Sequence, residues 1–298
     1  VDGSTYALSV LEEGDKIPVP PAPSKFGYVF VGWEPEVPET MPAEDMTITA
    51  QWTVNSYDAT FFAGHEGFFE DENIGKYNVT TVEGVVFGEE IIAPTPNPTR
   101  EGYDCLGWST DGTTVLSPVG IMDEEGKEFE AVWEVNQYTI TFDTDGGSAI
   151  EPITQDYATA VVAPEAPTKE GYTFAGWDAA VPETMPAEDI TITAQWTVNQ
   201  YDATFDAGED AVFESTGDAT VTTPVDYNSD ITAPDEEPTK TGYTFAGWED
   251  EDGNIINAGG TAGKMDADGE SFTAVWTPNE DTEYRVVINY TDAQTGAQ

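Results

Sequence analysis

Cysteine, histidine and basic residues are nearly missing from this chain of 298 residues. The one cysteine, Cys105, excludes an internal disulfide framework and a thiolate-rich metal centre. The one histidine, His65, sits in Ala63-Gly64-His65-Glu66-Gly67 with no nucleophile motif near it, so no catalytic triad can be assembled. Only 9 lysines and arginines stand against 58 acidic residues, a formal net charge of −49. Phosphate backbones are bound by clustered cations that release counterions, so nucleic acid is excluded as a partner, and an anionic membrane surface is disfavoured. No apolar run is long enough to span a bilayer and no signal peptide is visible, so no membrane insertion is expected of this stretch. Neighbouring carboxylates are unavoidable at this composition and identify no glycosidase-like pair; no enzyme is expected.

Repetition is what the chain has in abundance. The run Pro167-Thr168-Lys169-Glu170-Gly171-Tyr172-Thr173-Phe174-Ala175-Gly176-Trp177 recurs from Pro23 to Trp33, Pro98 to Trp108 and Pro238 to Trp248. A second tryptophan closes each copy, at Trp52, Trp133, Trp196 and Trp276, and the four pairs account for all 8 tryptophans. Successive copies lie roughly 70 residues apart, a period that signals a tandem array. Rings that recur at fixed positions point to a structural core: Trp33, Trp52, Trp108, Trp133, Trp177, Trp196, Trp248 and Trp276. Cys105 takes the slot of Phe30, Phe174 and Phe245, which predicts a buried apolar thiol. Lys25, Arg100, Lys169 and Lys240 share one signature position, where local charge pairing is expected.

The third copy shows the plan. Tyr138, Ile140 and Phe142 alternate with threonines as a first strand; a second follows around Ile153 to Tyr157. The signature opens with a tight turn closed by Gly171, then a third strand in which Tyr172, Phe174 and Gly176 alternate with Thr173, Ala175 and Trp177. Ile190, Ile192, Ala194 and Trp196 form the fourth. The second and fourth copies are longer, with extra residues around Gly64 to Asn78 and Gly208 to Ala219 and between their tryptophans. Brief linkers at Thr53 to Ser56, Glu134 to Gln137 and Thr197 to Gln200 are too short for free rotation.

The Thr168 to Trp177 run, preceded by Tyr138-Thr139-Ile140-Thr141-Phe142-Asp143-Thr144-Asp145-Gly146-Gly147 and followed by Ile192-Thr193-Ala194-Gln195-Trp196, resembles the Listeria/Bacteroides-type repeat, also called the internalin B-type repeat. The resemblance covers residues 57–276 in full and 1–54 in part. It implies small β-grasp-like modules with little helix, carried mostly as tandem stalks by bacterial surface and secreted proteins, and it brings no catalytic residues.

The expected fold is therefore mainly β, α+β at most, with about four strands per module in an extended rod. Module 1 spans 1–54 and lacks its first strand; modules 2, 3 and 4 span 55–135, 136–198 and 199–278; 279–298 begins a fifth. The chain opens on Val1 inside a module and is expected to be a piece of a longer protein. A monomer is expected; the alternative is that a strand from Tyr284 to Tyr290 complements module 1 of another copy head to tail. Asp143, Asp145, Asp250, Asp252, Asp266 and Asp268 lie in short acidic turns that are calcium candidates, though none completes a twelve-residue calcium loop and Asp-Gly is common hairpin chemistry. No other cofactor is implied. The expected function is an extracellular stalk or spacer, non-catalytic; the alternative is an adhesion module binding host or microbial glycan or protein through the long loops, with Phe68, Phe69, Tyr77 and Phe213 exposed.

Overall fold

A computed structural model of the chain describes residues 9–123 and 125–280; these form strands and no helix. Two compact units are present: Val1–Thr139 with Thr154–Val161 and Pro182–Asp189, and Ile140–Ile153 with Val162–Val181 and Ile190–Gln298. The stretch from Tyr284 to Tyr290 lies outside the described residues.

In the first unit, the signature strand Tyr28–Glu34 pairs antiparallel with the closing strand Thr49–Val54. The second repeat is a four-stranded sheet in the order Val79–Val86, Ser56–Phe62, Lys127–Val135, Tyr103–Ser109. Its central pair is parallel and its outer pairs antiparallel. Alternation puts Ala59 and Phe61 of the opening strand, and Phe129 and Ala131 of the closing one, on a single buried face. Parallel neighbours cannot be joined by a tight turn, so the chain leaves and returns between them. The excursion carries Phe69, Ile91, Trp108 and Met122 into the same core.

In the second unit, Ile190–Val198 pairs parallel with the opening strand of the third repeat from Ile140 to Asp143 and antiparallel with Tyr172–Trp177. That repeat has the same order: Ile153–Asp156, Gln137–Asp143, Ile190–Val198, Tyr172–Trp177. The fourth repeats it with Thr220–Asp226, Gln200–Asp206, Glu270–Pro278 and Tyr243–Glu249, and adds Thr239–Lys240 and Ile255–Ile256 on the signature strand. Its core gathers Phe205, Phe213, Ile231, Trp248, Met265 and Phe272.

Two expectations need correction. Simple alternation places Trp177 opposite Phe174, yet their rings meet edge to face at 5.2 Å. A bulge between Phe174 and Gly176 slips the register by one, which moves the tryptophan to the phenylalanine face. The same slip falls at Phe30/Gly32, Cys105/Gly107 and Phe245/Gly247. With φ of +141°, +124° and +136°, Gly107, Gly176 and Gly247 adopt a backbone that a side chain would strain, so the glycine before each of these tryptophans makes the bulge. The second correction concerns the linkers. Thr49–Val54 is followed by Ser56–Phe62, Lys127–Val135 by Gln137–Asp143, and Ile190–Val198 by Gln200–Asp206, so one asparagine, Asn55, Asn136 or Asn199, separates each closing strand from the next opening strand.

Candidate functional site

The signature turn is a type II β-turn: the Tyr172 N–H donates to Lys169 O at 3.1 Å, with Gly171 at φ +75° in the third position. Tyr28 with Lys25 and Tyr103 with Arg100 do the same at 3.1 Å. The turn folds the basic side chain back over its own tyrosine. Lys25 Nζ is 3.5 Å from the Tyr28 ring centre, the Arg100 guanidinium carbon 3.7 Å from that of Tyr103, Lys169 Nζ 4.6 Å from that of Tyr172 and Lys240 Nζ 5.3 Å from that of Tyr243. Lys169 and Lys240 also donate to the Asp145 and Glu209 carbonyls at 2.7 and 2.8 Å. The expected charge pairing is the lesser part, 3.5 Å for Lys169 with Asp145 and 3.9 Å for Arg100 with Glu66, because the turn presents an aromatic face first.

Closing tryptophans act as pins. Trp133, Trp196 and Trp276 each donate Nε1–H at 3.0 Å to a carbonyl just after the opening strand, of Ala63, Thr144 and Ala207. Gly67 and Gly147 let the indole lie flat against the loop, since a Cβ there would come within 2.9 and 2.6 Å of Trp133 and Trp196. Signature tryptophans differ by repeat. Trp108 and Trp248 are fully buried and their Nε1–H groups have no acceptor, whereas Trp33, Trp52, Trp133, Trp177, Trp196 and Trp276 are half-buried. The cover on the first two comes from the long loops: Phe69 stacks on Trp108 at 6.0 Å and Phe213 on Trp248 at 5.8 Å. Phe68 and Tyr77 are half-buried, Phe68 beneath Lys76 and Tyr77 against Phe69. Sequence reasoning also passed over one methionine per repeat. Met41, Met122, Met185 and Met265 each exchange two backbone hydrogen bonds with a turn whose left-handed residue is Gly14, Gly88, Ala158 or Asn228. A single methionine in an irregular crossover carries no periodicity by which to find it.

The joints repeat as closely as the cores. Asn55, Asn136 and Asn199 donate their N–H to the signature-glycine carbonyls of Gly27, Gly102 and Gly171 at 2.9 Å, and their carbonyls accept from Phe87, Tyr157 and Tyr227 of the following repeat at 2.9 Å. Those rings lie on the same glycines, all three of which are buried; a Cβ would come within 2.3 Å of Phe87, 2.2 Å of Tyr157 and 2.1 Å of Tyr227. Tyr157 stands edge-on between Tyr103 and Tyr138 at 6.1 and 6.5 Å, and Tyr227 between Tyr172 and Tyr201 at 5.8 and 6.3 Å. Burial, then the charges of Glu101 and Glu170 respectively, pushes the Tyr157 and Tyr227 phenols up. Asn279 N–H donates to Gly242 O at 3.0 Å in the fourth repeat.

The acidic turns use their carboxylates internally. Asp143, Asp250 and Asp266 accept the N–H of Asp145, Asp252 and Asp268 at 2.9 to 3.0 Å. Among the described residues, no group of three or more His, Cys, Asp or Glu is placed to hold a metal. Cys105 pairs across the strand with Trp133, as Phe174 does with Trp196; it is half-buried, and burial pushes its thiol up, away from the reactive thiolate. His65 has a side chain 84% exposed.

This arrangement of turns, pins and joints defines an all-β tandem-repeat array across the described residues, consistent with a structural or adhesive role. The chain belongs to the Listeria-Bacteroides repeat domain family, whose model matches residues 1–63, 68–119, 138–195 and 201–268. Its similarity to internalin H of Listeria monocytogenes is 41% identity over 48% of this chain and 26% of that protein. A putative membrane protein of Evansella cellulosilytica is 30% identical over 97% of this chain and 44% of its own length, and a putative Gly-rich membrane protein of the same organism 31% identical over 76% and 28%. The chain thus spans less than half the length of these curated relatives. It is an extracellular protein, secreted or on the bacterial cell surface. No helix among the described residues is long and apolar enough to cross a membrane.

Proposed function

We propose that the chain is a stalk or spacer segment that presents other domains of a longer protein away from the bacterial cell. The joint carries this reading. One asparagine bonded to both repeats, with a ring of the second repeat seated on the first, leaves little freedom to swivel. The array then divides into modules 1–54, 55–135, 136–198 and 199–278, with 279–298 opening a fifth. Each four-stranded sheet, with its parallel central pair, is β-grasp-like, and the modules follow one another in an extended, monomeric rod. The net charge of −49 keeps neighbouring copies soluble and apart.

Small-angle scattering tests the proposal. A compact globule of this length has a radius of gyration of about 19 Å, whereas four beads in line give about 30–35 Å. A value near the lower figure overturns the spacer. Adhesion through the long loops would need their rings at the surface; Phe69 and Phe213 are buried, while Phe68 and Tyr77 are half-buried, so that alternative retains the second of these pairs in one loop.

A further inference from the structure

We propose that the signature glycine face is a docking surface whose partner is the following repeat, and that the ring seated on it is a lock coupling the stability of the two. The inference deepens the spacer reading and rests on its joint. Gly27, Gly102 and Gly171 satisfy two demands at once. Their φ values of +77°, +73° and +75° complete the type II turn, a demand internal to one repeat. The turn alone would leave the space beside the α-carbon open, as it is at Gly14 and Gly88, also at positive φ, where nothing lies within 4 Å. At the signature glycines that space is filled by Phe87, Tyr157 and Tyr227, each from the next repeat. The absent side chain is the socket, and the ring is its occupant.

The occupant has a recognisable address. It follows directly on the second strand, after Val86, Asp156 and Asp226, one residue beyond the strand's last pairing position. Its N–H is the group that bonds the linker asparagine, so seating the ring and closing the linker are one event. Phenylalanine at the first joint and tyrosine at the other two show that the ring, not the hydroxyl, is what the socket takes. The partner is therefore the repeat that follows, through the aromatic it carries at that place.

A double-mutant cycle in the full chain tests the lock, combining Gly171→Ala with Tyr227→Ala and reading amide hydrogen exchange at Asn199 and Tyr227. Tyr227→Ala should speed exchange at Asn199 and at the Tyr172 turn amide by about tenfold or more, with the central parallel strands of both repeats still protected. Tyr227→Phe should exchange like the unaltered chain. Gly171→Ala strains the turn in either background but meets the ring in only one, so its effect should be smaller once Tyr227 is alanine. Additive effects, unchanged exchange at Asn199, or Tyr227→Phe behaving like Tyr227→Ala would overturn the lock. If Tyr227→Ala unfolds the fourth repeat, Tyr157→Ala read at Asn136 and Tyr103 decides by the same criteria. A compact scattering radius with a responsive lock would sink the spacer alone; an extended radius with an inert joint would sink the lock alone.

Discussion

The second and third repeats share a strand order and differ in how each covers its signature tryptophan. In the second, the opening and closing strands face each other with Phe61 stacked on Phe129 at 4.9 Å, and Phe69 descends from the long loop onto Trp108. In the third, the corresponding pair is Phe142 and Ile192, the loop is a short turn at Asp145-Gly146-Gly147, and Trp177 stays half-buried. The fourth repeat follows the second, with Phe205 on Phe272 at 4.7 Å and Phe213 on Trp248. Extra loop length thus buys core, at the expense of an indole N–H sealed off without an acceptor. An unpaired buried donor costs about 1–3 kcal/mol, and a buried aromatic ring contributes more than that, so the exchange favours the longer loop.

The largest way to break this difference is to remove the cover. Phe213→Ala should cost about 3–5 kcal/mol, the range for a large core ring, and Phe69→Ala should do the same in the second repeat. Chemical unfolding followed by tryptophan emission would show the loss together with a red shift as Trp248 or Trp108 meets water. A loss under about 1 kcal/mol would mean that the loops lie on the core without belonging to it.

Sharpening the comparison means asking whether the third repeat could take the larger pair. Ile192 is fully buried opposite Phe142 with no loop ring to rearrange, so Ile192→Phe should overpack and destabilise by about 1–3 kcal/mol. The reverse exchange, Phe272→Ile, leaves a cavity in the fourth repeat and should cost a similar amount. A neutral Ile192→Phe would show that the short repeat has unused space.

Much of this was legible in the sequence. The strands around Tyr138, Ile153, Tyr172 and Ile190 fall where alternation puts them, because one buried face enforces period two. The Trp177 face was not legible, since a bulge inverts parity and alternation cannot report it. The placement of the loop phenylalanines was not legible: Phe69 and Phe213 would serve binding if exposed, their segments have no periodicity to decide it, and only the fold shows a tryptophan beneath them. The joint was half visible. Short linkers were apparent, but Tyr157 and Tyr227 touch the preceding repeat across more than 50 residues of chain, a relation that spacing alone does not encode.

A smaller test concerns the turn that receives the buried methionine. Three repeats place Gly14, Gly88 and Asn228 at its left-handed position, and the third places Ala158 there at φ +59°. Alanine is strained in that region and glycine is not, although glycine loses more freedom on folding. Ala158→Gly should therefore stabilise the third repeat by about 0.5–1 kcal/mol, read as a rise in its unfolding midpoint. The same exchange at Asn228 should gain less, because asparagine tolerates the region.

The smallest expected effect is confined to the loop after the signature strand in the two long repeats, which acid should loosen. In the second repeat, the segment after the signature strand is knotted around Asp111, which accepts the Thr114 N–H at 2.7 Å, the Ser109 hydroxyl at 2.7 Å and the Thr113 N–H at 2.8 Å. Those donors, Thr114 foremost, hold its carboxyl well below the usual carboxylate range. In the fourth repeat, Asn254 does the same for Asp250 through its side chain and its N–H. A depressed folded value means that the contribution is complete above the unfolded value of about 4 and is lost as pH falls through the folded one. Amide exchange at Thr114 and Asn254 should therefore hold steady from neutral pH down to about 4 and, after correction for intrinsic rates, rise only in stronger acid. Asp111→Asn keeps an acceptor but removes the charge, so it should speed Thr114 exchange at neutral pH and flatten its acid dependence. A Thr114 amide equally protected in both forms would show that chain geometry, not the carboxylate, holds this loop closed.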